Sequence, residues 1–104
     1  MQEKIYSFDE IRQIVTPIAA RYDVERVFLI GSYARREAHA ASDIDLVIDK
    51  GQLEGMRFLS MLCDLTDDFG KNVDLITSSS LMQNDTHSLF RQAIDAERVL
   101  VYEQ

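Results

Sequence analysis

The chain has 104 residues with 18 acidic and 11 basic side chains, a formal net charge of −7 and 46% hydrophobic residues. This length fits a single small domain over residues 1–104, and the acidic balance argues against direct binding to nucleic acid and for metal ions or a basic protein partner. The single cysteine, Cys63, excludes an internal disulfide, and the sequence shows neither a secretory leader nor an apolar run of membrane-span length, so we expect a cytoplasmic protein with no membrane contact.

The first predicted element is a helix that starts after Ser7. Ser7 and Glu10 have the spacing of a capping box, in which each side chain binds the other residue's main-chain N–H group. Apolar residues then recur at helical spacing as far as Ala19. Pro17 lies within this pattern and predicts a kink or a split, because proline cannot donate the helical hydrogen bond.

The remaining elements alternate between strands and helices. An amphipathic pattern from Leu53 to Phe69 predicts a long helix with Cys63 in or near its packed face, and Gly70 is expected to end it. The others, in chain order, are a strand at 24–30, a short helix at 33–37, a strand at 44–48, a strand at 73–76, a helix at 89–96 and a possible strand at 99–102. The order α-β-α-β-α-β-α predicts an α/β (α+β) fold with a small mixed sheet flanked by helices.

Two carboxylates interrupt the second strand. Side chains alternate along a strand, so Asp43 and Asp45 share one face, while the other face carries the expected core residues, Ile44, Leu46 and Ile48. Neighbouring carboxylates repel each other, and a divalent cation such as Mg²⁺ removes that repulsion. Taken alone, however, a D-x-D motif is more often a solvent-exposed strand start.

Two further features favour a functional site. Gly31 and Ser32 follow the first strand, where a glycine lets the main chain approach a ligand and a helix start offers N–H groups to a phosphate. Asp74 is a third carboxylate, inside an apolar strand. Taken alone, the Gly31–Ser32 pair is best explained as an ordinary strand-to-helix turn. Taken alone, Asp74 is best explained as an edge-strand residue that faces solvent. Together with Asp43 and Asp45 they are the parts of a phosphoryl-transfer site, so we expect the three acids on one face of the sheet.

The stretch FLIGSYARREAHAASDIDLVID, followed by Asp74, resembles the signature of the DNA polymerase β-like nucleotidyltransferase superfamily. It is most similar to the minimal nucleotidyltransferase (MNT) family, whose members are antitoxins beside HEPN-domain toxins. The resemblance covers nearly the whole chain and implies the polymerase β-like nucleotidyltransferase fold, with ATP as substrate and two Mg²⁺ ions as cofactors.

The resemblance also implies a role for each matched residue. Gly31 and Ser32 correspond to the pair that holds the nucleoside triphosphate, and the metal-binding catalytic acids correspond to Asp43, Asp45 and Asp74. Arg35 corresponds to a family arginine that contacts the nucleotide, although a surface salt bridge is nearly as good an explanation. Members often carry glycine at the next position, where this chain has Arg36.

Three functions are compatible with these residues. The leading hypothesis is an enzyme that transfers AMP from ATP to a hydroxyl, by the resemblance a tyrosine, of a cognate HEPN ribonuclease toxin and so neutralises it. The first alternative is a binding module that neutralises the toxin by occlusion. The second is a nucleotidyltransferase subunit for a small molecule, which would need a further substrate-binding domain. The sequence leaves the oligomeric state open between a homo-oligomer and a hetero-oligomer with the toxin.

Overall fold

The computed structural model describes residues 4–49, 53, 55–78 and 97–104. The elements are, in chain order, α1 (Phe8–Arg21), β1 (Arg26–Ile30), α2 (Gly31–Ala34), β2 (Ile44–Asp49), α3 (Met56–Phe69), β3 (Val73–Thr77) and β4 (Val99–Glu103). The predicted order is confirmed for these elements, including the C-terminal strand. The helix predicted at 89–96 lies outside the described residues. No helix in the described ranges combines the length and the apolar character needed to cross a membrane.

The four strands form one mixed sheet in the order β3-β2-β1-β4. Strand β1 is antiparallel to both β2 and β4, and β2 is parallel to β3. A parallel pair needs a crossover connection, which α3 supplies between β2 and β3. The predicted mixed sheet flanked by helices is therefore confirmed.

Helix α1 begins with the predicted capping box. The Ser7 hydroxyl accepts a hydrogen bond from the Glu10 main-chain N–H at 3.1 Å, and the Glu10 carboxylate accepts one from the Ser7 N–H at 3.0 Å. Of the kink or split predicted at Pro17, the split is wrong, because α1 runs unbroken over 14 residues. The carbonyl that Pro17 leaves without a donor belongs to exposed Gln13, where water can bind it, while the buried face of α1 keeps its packing.

The main core lies between the sheet and the two long helices. Ile44, Leu46 and Ile48 of β2 are fully buried, as alternation along the strand predicts. Helices α1 and α3 cover them with the following buried side chains: Ile11, Val15, Ile18, Met61, Leu65 and Phe69. The expectation that Cys63 lies in the packed face of α3 is wrong, since Cys63 is exposed.

Tyr6 joins the segment before α1 to the end of α3. Its hydroxyl donates a hydrogen bond of 2.5 Å to the Phe69 carbonyl, and the two rings meet edge to face with centroids 5.2 Å apart. The contact spans 63 residues of sequence and closes one end of the core. Gly70 then ends α3 in the left-handed conformation, with φ of 68°, as predicted.

Removing the Tyr6 hydroxyl should weaken this closure. In Tyr6→Phe the Phe69 carbonyl loses its side-chain donor at a buried position, so the free energy of unfolding should fall by about 1–2 kcal/mol. Urea denaturation measures the change. Tyr102→Phe is the matched control, because no hydrogen bond of the Tyr102 hydroxyl is present within the described ranges. Equal losses in both variants would contradict a specific role for the Tyr6–Phe69 bond.

Candidate active site

The site is built on the face of β2 opposite to α1 and α3. Asp45 pairs across the antiparallel ladder with Ile30 and across the parallel ladder with Asp74. Residues opposite each other in paired strands point to the same face, so the Asp45 and Asp74 side chains are neighbours. Ile30 and Val47 form a small buried cluster on this face, which places apolar side chains beside the carboxylates.

The Asp45 carboxyl is strongly perturbed by these neighbours. Its pKa is raised to about 6, first by burial, then by its hydrogen bond with Asp74 and by the negative charges of Asp74 and Asp43. Arg35 acts in the opposite direction on the pKa of Asp45, but more weakly. Burial and the neighbouring negative charges therefore both disfavour the ionised form of Asp45.

Asp43 is exposed and lies just before β2. The negative charge of Asp43 contributes to the raised pKa of Asp45. In the described part of the chain, no three His, Cys, Asp or Glu side chains are grouped closely enough to hold a metal ion. The convergence of all three acids on a metal therefore stays a prediction, while the Asp45–Asp74 pair is a structural fact.

Gly31 makes room for this pair. Its φ is +74°, a conformation that side chains with a Cβ rarely adopt, and a Cβ built there would overlap the Asp45 Oδ2 atom and lie 3.2 Å from Asp45 Cγ. The main chain thus passes directly against the Asp45 carboxylate. The sequence singled out Gly31 as a point of close approach to a ligand, and the structure shows close approach to a site carboxylate.

The turn after Gly31 differs from the predicted helix at 33–37. Helix α2 covers only Gly31–Ala34, with Arg35 as its C-cap. It ends because Arg36 has a left-handed φ of 61°. Left-handed positions favour glycine, which accounts for the glycine that similar sequences often have here. The Arg36 guanidinium lies over the Phe8 ring, 4.9 Å from its centroid.

Arg35 is held by two carboxylates at the edge of the site. Its Nε and Nη1 atoms lie 3.2 Å from Glu37 and 3.2 Å from Glu97 respectively. Both pairs raise the pKa of Arg35. Arg35 thus forms surface salt bridges, the alternative that the sequence analysis gave to a nucleotide contact. Glu97 was missed by the sequence interpretation, because it lies 62 residues from Arg35 and matches no motif.

A cavity of about 720 Å³ brings most of these groups together. Four of the six predicted site residues line it, namely Gly31, Arg35, Asp45 and Asp74, whereas Ser32 and Asp43 do not. Its other lining residues are Ile30, Leu62, Val73, Leu75, Ile76 and Glu97. This volume lies in the range of small-molecule sites. A second cavity of about 510 Å³ beside α1 has Asp9 as its one carboxylate lining residue, so the paired acids single out the larger cavity.

The donor set fits a divalent cation. Asp43 lies just before β2, two residues from Asp45, and Asp74 is next to Asp45 in the parallel pairing. Carboxylate oxygens are the ligands that Mg²⁺ takes, commonly one or two from the protein with substrate phosphates completing the shell. Burial is the main cause of the raised pKa of Asp45, and a bound cation would offset the further contribution from the negative charges of Asp74 and Asp43.

Residues 13–104 match the model of the family described as polymerase beta, nucleotidyltransferase. A putative protein adenylyltransferase of Methanocaldococcus jannaschii is 31% identical over 90 residues, which cover 86% of this chain and 97% of that relative. The protein adenylyltransferase MntA of Thermococcus cleftensis is 28% identical over 93 residues, which cover 85% of this chain and 94% of that relative.

Solved toxin–antitoxin structures share the fold. One, with AMP-PNP, has a TM-score of 0.69 at 18% identity and covers 89% of this chain and 73% of that chain. Another, a tri-AMPylated Shewanella oneidensis HEPN toxin in complex with MNT antitoxin, has a TM-score of 0.66 at 15% identity and covers 93% of this chain and 73% of that chain. The predicted polymerase β-like nucleotidyltransferase fold is thereby confirmed.

The Asp45–Asp74 pair should make stability depend on pH. The pKa of Asp45 is about 6 in the folded chain and near its ordinary 3.8 when unfolded, so the folded state binds more protons and loses stability as pH rises between these values. Asp45→Asn removes this cost. Without divalent cations it should raise the free energy of unfolding by about 1–2 kcal/mol at pH 7.5, a figure discounted for partial exposure, and by little at pH 4.

Urea denaturation at both pH values checks this expectation, with the exposed Asp43→Asn as the matched control for loss of one charge. A gain for Asp45→Asn that is the same at pH 4 and pH 7.5 would contradict the assignment to Asp45 ionisation.

Replacing Gly31 should disturb the site through contact with Asp45. Gly31→Ala adds a Cβ where the Asp45 carboxylate lies and strains a positive φ, so we expect a loss of about 1–3 kcal/mol in the free energy of unfolding. Gly55→Ala is the matched control, because Gly55 also has a positive φ, of 58°, but has nothing within 4 Å of the added Cβ. Calorimetry should show weaker binding of ATP with Mg²⁺ for Gly31→Ala alone. Equal effects at both glycines would mean that the overlap is unimportant.

Proposed function

Since the chain belongs to the polymerase beta nucleotidyltransferase family, we propose that it is a protein adenylyltransferase that transfers AMP from ATP to a hydroxyl of a HEPN-domain toxin. The observation that carries this proposal is the Asp45–Asp74 pair held against Gly31 in one cavity. The curated relatives are named protein adenylyltransferases, and the structures of similar fold include an AMPylated HEPN toxin with its antitoxin. Such a protein would act in the cytoplasm.

Each site residue has a role in the proposed transfer. The Gly31–Ser32 main chain would bind the triphosphate, next to the Asp45 carboxylate that the absence of a Gly31 Cβ accommodates. Asp43 and Asp45, with Asp74 beside them, would hold Mg²⁺, which neutralises phosphate charge. Asp74 orients the attacking hydroxyl and accepts its proton while the hydroxyl oxygen bonds to the α-phosphorus and pyrophosphate leaves.

To contact the nucleotide, the Arg35 guanidinium must exchange a carboxylate partner for a phosphate. Its two ion pairs with Glu37 and Glu97 are partly exposed, and pairs of this kind contribute little to stability. A phosphate offers a doubly charged bidentate partner in their place. We propose that Arg35 moves from Glu97 to the phosphates when ATP binds.

The double variant Asp43→Asn/Asp45→Asn distinguishes AMP transfer from binding of the toxin. It keeps the side-chain shapes but removes two charges, so AMP transfer in the presence of Mg²⁺ should fall below detection while binding to the toxin persists. Purified HEPN protein from the same genome is incubated with ATP, Mg²⁺ and each form of the chain, and the HEPN protein is then weighed by intact mass spectrometry. Wild type should add one or more AMP groups.

Asp67→Asn/Asp68→Asn is the matched control, because it also removes two neighbouring charges, from exposed positions on α3. This control should transfer AMP like wild type, and chelation of Mg²⁺ should stop transfer by both. Toxin activity is measured after the proteins are separated. An unchanged toxin mass with activity that returns on separation would establish occlusion instead of AMP transfer.

A further inference from the structure

The active-site cavity extends around the edge of the sheet. Four consecutive residues of β3, from Val73 to Ile76, line it. Side chains along a strand point alternately to opposite faces, so a cavity that contacts all four must follow the strand's edge. Leu62, from the helix layer on the other side of the sheet, lines the same cavity as Asp45 and Asp74. The space therefore continues from the paired carboxylates along the outer side of β3.

This outer edge of β3 has main-chain groups that point away from the sheet. In the described part of the chain β3 is an edge strand whose one neighbour is β2. The Asn72 carbonyl accepts a hydrogen bond from the Ile44 N–H at 3.1 Å, so Asn72 and, by alternation, Asp74 direct their main-chain groups to β2. Val73 and Leu75 then direct their N–H and C=O groups outward, into the cavity that they line.

The two edges of the sheet differ in their suitability for pairing. At the β4 edge the register with β1 shifts between Val27 and Phe28, an irregularity of the kind that discourages addition of another strand. Strand β3 keeps one register with β2 over all five pairs, from Val73 to Thr77. It also has neither proline nor lysine within it to block an incoming strand. The regular edge is thus the one beside the carboxylates.

We propose that the acceptor protein presents its hydroxyl on an extended segment that pairs as an additional strand with the outer edge of β3. This inference rests on the proposed function and specifies how the acceptor binds. Residues opposite each other in paired strands point to the same face, so a residue placed opposite Asp74 would direct its side chain to the face of Asp45. Main-chain pairing fixes that position, and Leu62 and Leu75 offer apolar contacts.

Amide hydrogen exchange tests the pairing without relying on activity. The Asp43→Asn/Asp45→Asn variant is used with the HEPN protein from the same genome, so that the acceptor remains unmodified. The Leu75 amide should exchange fast in the free chain and roughly tenfold more slowly in the complex. The Asp74 amide, which faces β2, should change little. A Leu75 amide that is already protected in the free chain, or unprotected in the complex, overturns the proposal.

A second test removes the outward N–H group. Leu75→Pro deletes a donor that β2 does not use, and proline is tolerated at an edge position facing outward. The KM for the HEPN protein should be roughly tenfold higher for Leu75→Pro than for Leu75→Ala, the loss expected for one main-chain hydrogen bond. Leu75→Ala keeps the N–H and is the control for the lost side chain. Equal KM values for the two variants overturn the proposal.

The two proposals can fail separately. If wild type transfers no AMP but the Leu75 amide becomes protected by the HEPN protein, the docking mode stands and the proposed chemistry is wrong. If wild type transfers AMP and the amide of Leu75 is unaffected, the chemistry stands and the docking mode is wrong. Should Leu75→Pro fail to fold, as circular dichroism would show, the exchange experiment decides alone.

Discussion

The contact of the Asp45 carboxylate with the Gly31 main chain on one side and with Asp74 on the other is the constraint on which the site depends. It requires a glycine at the end of β1, a positive φ at that glycine, and parallel pairing of β2 with β3 in a single register. A shift of that register by one residue would move Asp74 to the helix-covered face. The buried Val73 opposes such a slip, because it would move in turn from the core to the other face. The core thus maintains a repulsive pair that is unfavourable on its own.

Much of this arrangement was predictable because it follows from alternation and local chemistry. Alternation along β2 separates the acids from the aliphatic residues, and the capping box defines the start of α1. The parts that were missed depend on tertiary contacts. Pro17 does not split α1, because the packed face of α1 and hydration of the Gln13 carbonyl outweigh one lost hydrogen bond. Cys63 has the hydrophobicity of a core residue, yet the face of α3 that packs is set by Met61 and Leu65, which leaves Cys63 outside.

The turn after β1 shows how a departure from a family pattern can be accommodated. A left-handed residue other than glycine costs roughly 1 kcal/mol, and Arg36 bears that cost. In return its guanidinium lies on the Phe8 ring, a cation–π contact of similar size between the turn and the start of α1. The two effects nearly offset each other, so the turn keeps its conformation without glycine. Arg35 is then directed toward Glu37 and Glu97, at the edge of the cavity.

Within the described ranges, the strand that supplies the third acid is also an edge strand of the sheet, and the proposed pairing at that edge has a consequence for acceptor specificity. An acceptor bound through main-chain groups is selected by its ability to become extended beside Asp74, more than by the identity of its side chains. Apolar side chains at Leu62 and Leu75 add a preference without fixing a sequence. Ordering a flexible segment costs conformational entropy, so most of the affinity must come from contacts outside the cavity. Selection of the partner would then depend on the wider protein–protein surface, and β3 would determine which hydroxyl of that partner reaches the nucleotide.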